Sequence, residues 1–298
     1  MSNTTVAPQD PLAVLFSYPQ TVAFALTVGL TIEIAVGGLI NAAAEYLSTD
    51  EPTTVTTRII VVFNVLTIVY SSVTVWGSLV GERECAMGQF LALVLAHMFA
   101  IAFDVFMLVK TYAVGQFHRN ILIGCIVVGT YRVCWGIVDI AKSYGEWDSE
   151  MGACIYYQNP TTGTGYNSAD ILVDAFATIV ALAYNLKYLR TSISQIRTVL
   201  VRENLLRSII ILSLNSFEIY AALNWTDQFN CTMAYLFQNY VYARCINAET
   251  VIKGIRRKAF LAPTVSAESH GSTREAKRSR LDQNETGSAN QVKSDAWK

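Results

Sequence analysis

Several ionisable side chains interrupt long apolar stretches of this sequence. Glu33, His97 and Arg132 each lie near the middle of such a stretch. An ionisable group in hydrocarbon is energetically costly, so we expect each of the three to face other protein segments and to find a partner there. Arg132 should pair with an acid at a similar depth. The sequence offers Glu33 and Asp104 for this role and does not choose between them.

Two pairs of these residues have the spacing of neighbours on one helix face. His97 and Asp104 are seven residues apart, and so are Arg132 and Asp139. Residues at this spacing share a face of a helix. Ion pairs that hold helices together are the simplest interpretation of this polar core. The alternatives are a binding site for a ligand or ion and a conformational switch.

A second group of acids is predicted near one end of the same stretches. It comprises Asp139, Asp170, Asp174 and Glu218, and a nearby polar connection adds Glu146, Trp147, Asp148, Glu150, Tyr156, Tyr157 and Tyr166. Acids and aromatic rings that surround an open vestibule would favour a small cationic or amine-bearing ligand, because cations are attracted to ring faces. The alternative is that Asp170 caps a helix and the other acids are solvated.

The apolar stretches are long enough to position these residues inside a membrane. A spanning helix needs about 20 mainly apolar residues. The chain is 52% hydrophobic and 15% charged, whereas soluble domains carry about 25% charged residues. We therefore predict an all-α fold, a polytopic bundle of seven transmembrane helices of which the last two are the weakest. The seven stretches are Thr21–Asn41, Ile59–Val80, Gln89–Val109, Asn120–Ala141, Ala169–Leu189, Leu205–Leu223 and Phe229–Ile246.

The distribution of Lys and Arg predicts the orientation of this bundle. Short loops rich in these residues stay in the cytoplasm, and the connection after the fifth stretch is the most basic one, with Lys187, Arg190, Arg197, Arg202 and Arg207. We therefore expect the N-terminus outside the cell or in a lumen, and the C-terminus in the cytoplasm. The membrane would be the plasma membrane or another membrane of the secretory pathway.

This orientation divides the chain into three parts. Residues 1–20 form a short outer segment, in which Asn3 of the sequon Asn3-Thr4-Thr5 is a candidate for glycosylation. Residues 21–246 form the transmembrane domain. Residues 247–298 form a basic cytoplasmic tail whose polar composition predicts that it is largely disordered.

Two cysteines fall on the predicted outer side. Cys85 lies in the short charged segment "GERECAMGQF" before the third helix, and Cys154 lies in the long fourth connection. An oxidising compartment allows such thiols to pair, so we expect a Cys85–Cys154 disulfide. Cys231 is a competing partner, and free thiols throughout are the alternative.

The layout resembles that of the G-protein-coupled receptors: seven helices, a cysteine at the head of the third helix, another in the second outer loop, and a basic third inner loop. The third helix ends "FDVFMLVKTYAVG" without Asp-Arg-Tyr, and the seventh reads "YLFQNYVYARC" without Asn-Pro-x-x-Tyr. The chain is therefore more similar to divergent seven-helix membrane proteins, such as those of fungi.

The resemblance implies a receptor-like protein that senses an outer ligand and signals to a cytoplasmic protein through the basic inner loop and tail. A transporter of small molecules or lipids that uses the polar core is the competing hypothesis, and a scaffold without a ligand is a third.

The sequence contains no pattern typical of an enzyme. The last stretch has no lysine for a retinal Schiff base, and three histidines in the whole chain are too few for the cluster of a zinc hydrolase. We expect no catalytic activity, no cofactor, no metal and no nucleic-acid partner.

Overall fold

The computed structural model describes residues 18–48, 54–150, 152–189, 195–225 and 229–253. Within these ranges the chain forms seven long helices, and each of the seven predicted stretches falls on one of them. They are α1 (Tyr18–Ser48), α2 (Val55–Leu79), α3 (Cys85–Val114), α4 (Arg119–Lys142), α5 (Pro160–Leu189), α6 (Gln195–Asn224) and α7 (residues 229–253). The predicted helical class is thus confirmed.

Five of these helices, α1 to α5, are long and apolar enough to cross a membrane. The mean hydropathy of their most apolar windows lies between 1.3 and 2.3. The protein is therefore a membrane protein by the length and composition of its helices. The other two helices, α6 and α7, carry the amides and acids that make their stretches the weakest of the seven in the sequence.

Helix α3 is central among the described elements, since it packs against α2, α4 and α5. Its phenylalanines build an aromatic core with rings from other helices. The Phe63 ring of α2 lies 4.8 Å from the Phe99 ring, and the Phe103 ring stacks on Tyr242 of α7 with centroids 3.9 Å apart. This apolar core surrounds the polar residues described below.

A two-stranded hairpin covers the beginning of α3. Its strands, β1 (Tyr144–Asp148) and β2 (Ala153–Tyr157), pair in antiparallel fashion and place Trp147 opposite Cys154. The structure contains the predicted Cys85–Cys154 disulfide, which ties β2 to the first residue of α3. Cys231, the competing partner, is a free thiol. From its sequence, the hairpin segment was identified only as the long fourth connection.

The chain divides into two compact units, Met1–Thr250 and Val251–Lys298. The structure describes only residues 251–253 of the second unit, and these are helical. The predicted glycosylation site Asn3 and most of the predicted tail lie outside the described residues.

Candidate functional site

Helix α3 carries the residues that organise a buried polar network. From Cys85, at the start of the helix, His97, Asp104 and Lys110 follow about 18, 28 and 37 Å further along the axis at 1.5 Å per residue. All three side chains make ion pairs with other helices. The network therefore has three levels, which we describe in order of distance from the hairpin.

The first level is centred on Asp139, which is fully buried at the end of α4. Its Oδ2 lies 3.0 Å from Nε2 of His97 in α3. Its Oδ1 accepts hydrogen bonds from Ser143 Oγ at 3.0 Å and from Thr162 Oγ1 at 2.5 Å. One carboxylate thus connects α3, the end of α4 and the first turn of α5.

The same level is connected to the hairpin. Ser143 immediately precedes β1, and its Oγ accepts a hydrogen bond from the backbone N–H of Asn159, which follows β2, at 3.1 Å. Both ends of the hairpin are therefore joined at Ser143, whose hydroxyl is hydrogen-bonded to the buried Asp139 carboxylate. The hydroxyl of Tyr156, on β2, is also buried, and desolvation raises the pKa of Tyr156 above its ordinary value.

The second level is centred on Arg132, whose side chain is 1% exposed. Its Nε lies 3.2 Å from Oδ2 of Asp104 and also contacts Oδ1 of Asp170. Both terminal guanidinium nitrogens lack a hydrogen-bond partner among the described residues. The Tyr166 ring lies 5.2 Å from the guanidinium carbon and meets the His97 ring edge-on at 5.1 Å. Tyr166 therefore contacts both levels.

Asp174 extends the second level towards α6 and α7. Its Oδ2 accepts a hydrogen bond from Asn215 Nδ2 at 2.5 Å. Asn215 Oδ1 in turn accepts from the Tyr242 hydroxyl at 2.8 Å and from Gln238 Nε2 at 2.9 Å. Glu218, one turn after Asn215, is also buried. Uncharged amides and a phenol thus surround the acids of α5 and α6.

The third level lies at the opposite end of α3. Glu249 of α7 is buried and pairs with Lys110 of α3 and with Arg207 of α6. Both terminal nitrogens of Arg207 donate to Glu249 Oε2 at 3.2 Å. Both cations also lie near the Phe106 ring, at 5.8 Å for Lys110 and 5.5 Å for Arg207. Three helices are therefore held together by one carboxylate.

The sequence analysis did not identify Glu249, because the last span was predicted to end at Ile246. The same is true of Asn247, whose amide exchanges two hydrogen bonds of 2.8 Å with the amide of Asn64 in α2. The spacing could have identified Glu249 as a member of the network, since Glu249 lies seven residues after Tyr242 and shares a helix face with it.

Glu33 is a correction to the sequence analysis. Of the two acids offered to Arg132, the structure places Asp104 beside it, whereas Glu33 is exposed on the outer surface of α1. The buried face of α1 is formed by smaller and apolar side chains that include Val28 and Ala35. The prediction that Glu33 faces the bundle is therefore wrong.

The predicted acidic vestibule also differs from the structure. Asp139, Asp174 and Glu218 are each at most 4% exposed, so they do not line an open vestibule. Asp170 does not cap a helix, because α5 begins at Pro160. The exposed acids of this end lie on the surface of the hairpin and of the Glu82–Glu84 turn before α3.

The network is built for hydrogen bonds and ion pairs. Among the described residues, no three His, Cys, Asp or Glu side chains are arranged to hold a metal ion. Its acids outnumber its bases at the second level, where Asp104 and Asp170 contact the Arg132 guanidinium and Asp174 lies one turn after Asp170.

Comparisons with known proteins do not assign the chain to a family. No protein-family model matches it, and no curated protein matches it either. The resemblance to the G-protein-coupled receptors therefore remains a prediction from the sequence, and the function has to be argued from the polar network itself.

Proposed function

We propose that the protein is a receptor-like sensor with seven membrane spans, an outer N-terminus and a cytoplasmic C-terminus. A ligand would act on the hairpin side, and a cytoplasmic protein would respond at the opposite side. This orientation rests on the basic residues of the connection between α5 and α6. Tags at the two termini should be accessible from opposite sides of the membrane, and tags accessible from one side would contradict the orientation.

The observation that carries the proposal is the connection from the hairpin to the polar core. The hairpin is bonded covalently to α3 through Cys85, and its two ends meet at Ser143, which donates to Asp139. Asp139 pairs with His97, and the Tyr166 ring contacts both His97 and the guanidinium of the second level. A displacement of the hairpin would therefore change contacts inside the bundle.

The hairpin side favours a cationic ligand. Glu146 and Glu150 are exposed on the hairpin, and Glu82 and Glu84 are exposed on the turn that precedes the disulfide. These four acids outnumber the two exposed bases of the same end, Arg83 and Lys142, and an excess of negative charge on one surface raises the local concentration of cations. The ligand would thus be an amine or another small cation that contacts the surface of the hairpin.

The first experiment tests ligand binding on the full-length protein in lipid nanodiscs. Spermine is the probe, and thermal unfolding is the readout. A ligand that binds only the folded state at 100 times its Kd stabilises that state by about 2.7 kcal/mol. We expect spermine to raise the unfolding temperature, and Glu146→Gln with Glu150→Gln to reduce the effect.

The control is Glu45→Gln, which removes one charge of the same kind from the last turns of α1. It should leave the response to spermine unchanged, because α1 passes Asn64 and Asn247 at Gly38 and ends on the side of the bundle opposite the hairpin. An equal loss in both variants would indicate a nonspecific charge effect. No stabilisation by spermine or by any other amine would contradict the proposed ligand class.

The second experiment tests the cytoplasmic side. Recruitment of a G protein or another signalling protein should depend on residues 187–207, and Arg197→Gln with Arg202→Gln should abolish it. The side chains of these two arginines lie outside the described part of the structure. Equal recruitment by the variant would argue against signalling through this connection.

A second candidate function is a transporter of small molecules or lipids, and the charge balance of the second level favours it. Asp104 and Asp170 share one guanidinium, and Asp174 Oδ1 has no hydrogen-bond partner among the described residues. Such carboxyls can exchange protons or cations with a substrate. Uptake of a labelled substrate into proteoliposomes that is lost in Asp174→Asn would support transport over sensing.

A further inference from the structure

Glu33 has an unusual position for an ionisable residue. It lies at the centre of the 31-residue helix α1, about 22 Å from either end at 1.5 Å per residue. Helix α1 is one of the five helices that can cross a membrane. The carboxyl of Glu33 is therefore at the depth of the middle of the bilayer, where an ionisable side chain normally faces protein or water.

The structure instead directs Glu33 away from the rest of the chain. Helix α1 packs on its neighbours through Phe24, Val28 and Ala35, and Glu33 projects from the opposite, exposed side. No hydrogen bond or ion pair reaches its carboxyl from the described residues. Lipid tails offer no donor or acceptor, so a partner for this group has to come from outside the described part of the chain.

The surface around Glu33 allows a second helix to approach closely. Gly29 and Gly37 lie one turn before and one turn after Glu33 on the same face. A Cβ atom added at either glycine would have nothing within 4 Å beyond the adjoining backbone of α1 itself. Small residues at such positions let two helix backbones approach in a membrane. The exposed side chains of Leu26 and Ile40 extend this face in both directions.

We propose that α1 pairs with α1 of a second copy of this chain, and that Glu33 meets the Glu33 of the second copy at the two-fold axis. In a symmetric dimer each residue on the axis meets its own counterpart. A neutral carboxylic acid both donates and accepts, so two of them satisfy each other with two hydrogen bonds. No other partner is needed to satisfy Glu33. This dimer rests on α1 crossing the membrane and is independent of the sensing function.

The experiment measures dimerisation of the full-length protein in lipid vesicles. Donor and acceptor fluorophores on separate populations report energy transfer as the protein-to-lipid ratio is varied. We expect a dimer in the wild-type protein. Glu33→Leu should weaken it about tenfold, since interhelical hydrogen bonds of this kind have modest strength in membranes. Glu33→Gln should retain it, because an amide also donates and accepts.

Two further variants test the shape of the α1 surface separately from the Glu33 side chain. Gly29→Leu should weaken the dimer by preventing close approach while the carboxyl is retained. Thr130→Leu is the matched control, because it replaces an exposed polar side chain with leucine on α4. It should leave dimerisation unchanged. Leucine is more apolar than glutamate, so loss of the dimer in Glu33→Leu cannot be attributed to failed membrane insertion.

Three results would overturn the proposal. One is a wild-type protein that stays monomeric at every protein-to-lipid ratio. The α1 surface would then be covered by lipid or by a different protein. Another is a dimer that Glu33→Leu leaves unchanged, which would place the interface elsewhere. The third is equal weakening by the leucine and glutamine variants, which would exclude hydrogen bonding as the cause.

Discussion

Replacement of Asp139 tests whether its buried carboxylate holds the bundle together. In Asp139→Ala the donors His97 Nε2, Ser143 Oγ and Thr162 Oγ1 lose their common acceptor. Hydrogen bonds inside membrane proteins contribute about 0.6 kcal/mol on average and about 1.7 kcal/mol at most. We therefore expect Asp139→Ala to lower the free energy of unfolding by about 2–5 kcal/mol.

Asp139→Asn separates the role of the acceptor from that of the charge. The amide oxygen can still accept from Ser143 and Thr162, and the amide N–H can donate to a neutral His97 ring. The remaining loss is the extra strength of hydrogen bonds to a charged group, so we expect a decrease of only about 1 kcal/mol. Ile137→Ala is the control, since Ile137 is exposed two residues earlier on the same helix.

The measurement is an unfolding titration of the full-length protein with SDS in mixed micelles, followed by tryptophan fluorescence. The control variant should stay within about 0.5 kcal/mol of the wild type. An alanine variant as stable as the control would refute the stabilising role of Asp139. An asparagine variant as unstable as the alanine variant would show that charge, and not the number of accepted hydrogen bonds, decides the effect.

The remaining predictions use simple readouts. Four of the six cysteines should react with a maleimide in denaturant before reduction, and all six should react after it. In Cys85→Ser, five cysteines should react with or without reduction. Six reactive thiols in the unreduced wild-type protein would contradict the disulfide. Gly165→Ala should destabilise the protein by about 1–3 kcal/mol, because the added Cβ meets the Trp135 ring, and Trp135→Ala should relieve this effect. Gly81→Ala, with open space around the added Cβ, should be neutral, and equal effects at the two glycines would refute the packing argument. Glu249→Gln should cost about 3 kcal/mol or more in the same SDS titration, since it removes the anion shared by the buried Arg207 and the partly buried Lys110. A change below about 1 kcal/mol would mean that the third level does not stabilise the bundle.

The helices could be predicted because each is a long apolar stretch bounded by polar residues. Asp104 could be named as a candidate partner of Arg132 because depth in the bilayer restricts which side chains can meet, but Asp170, which also contacts the guanidinium, was not among the candidates. Depth carries no information about direction around the helix axis. Helix α1 carries apolar residues on every side, so its sequence does not indicate which face packs on the bundle, and Glu33 was assigned to the wrong side.

The start of α5 shows a second physical limit of sequence reasoning. The segment "PTTGTGYNSAD" is rich in small polar residues and glycine, which are typical of a loop. It is helical in the structure because tertiary contacts favour the helix: Thr162 donates to Asp139, and Gly165 leaves room for the Trp135 ring. Such contacts between distant segments cannot be predicted from local composition. Because of them, the acids that were predicted to line an open vestibule are buried in the polar network.

The bond between Cys85 and Cys154 has a consequence for the order of assembly. The two cysteines are separated by 69 positions in the chain, and α3, α4 and β1 lie between them. During synthesis, the Cys85 thiol therefore cannot pair with Cys154 until α3, α4 and β1 have left the ribosome. The bond therefore requires α4 and β1 but none of α5, α6 and α7, so covalent closure is possible while the last three helices are still to be made.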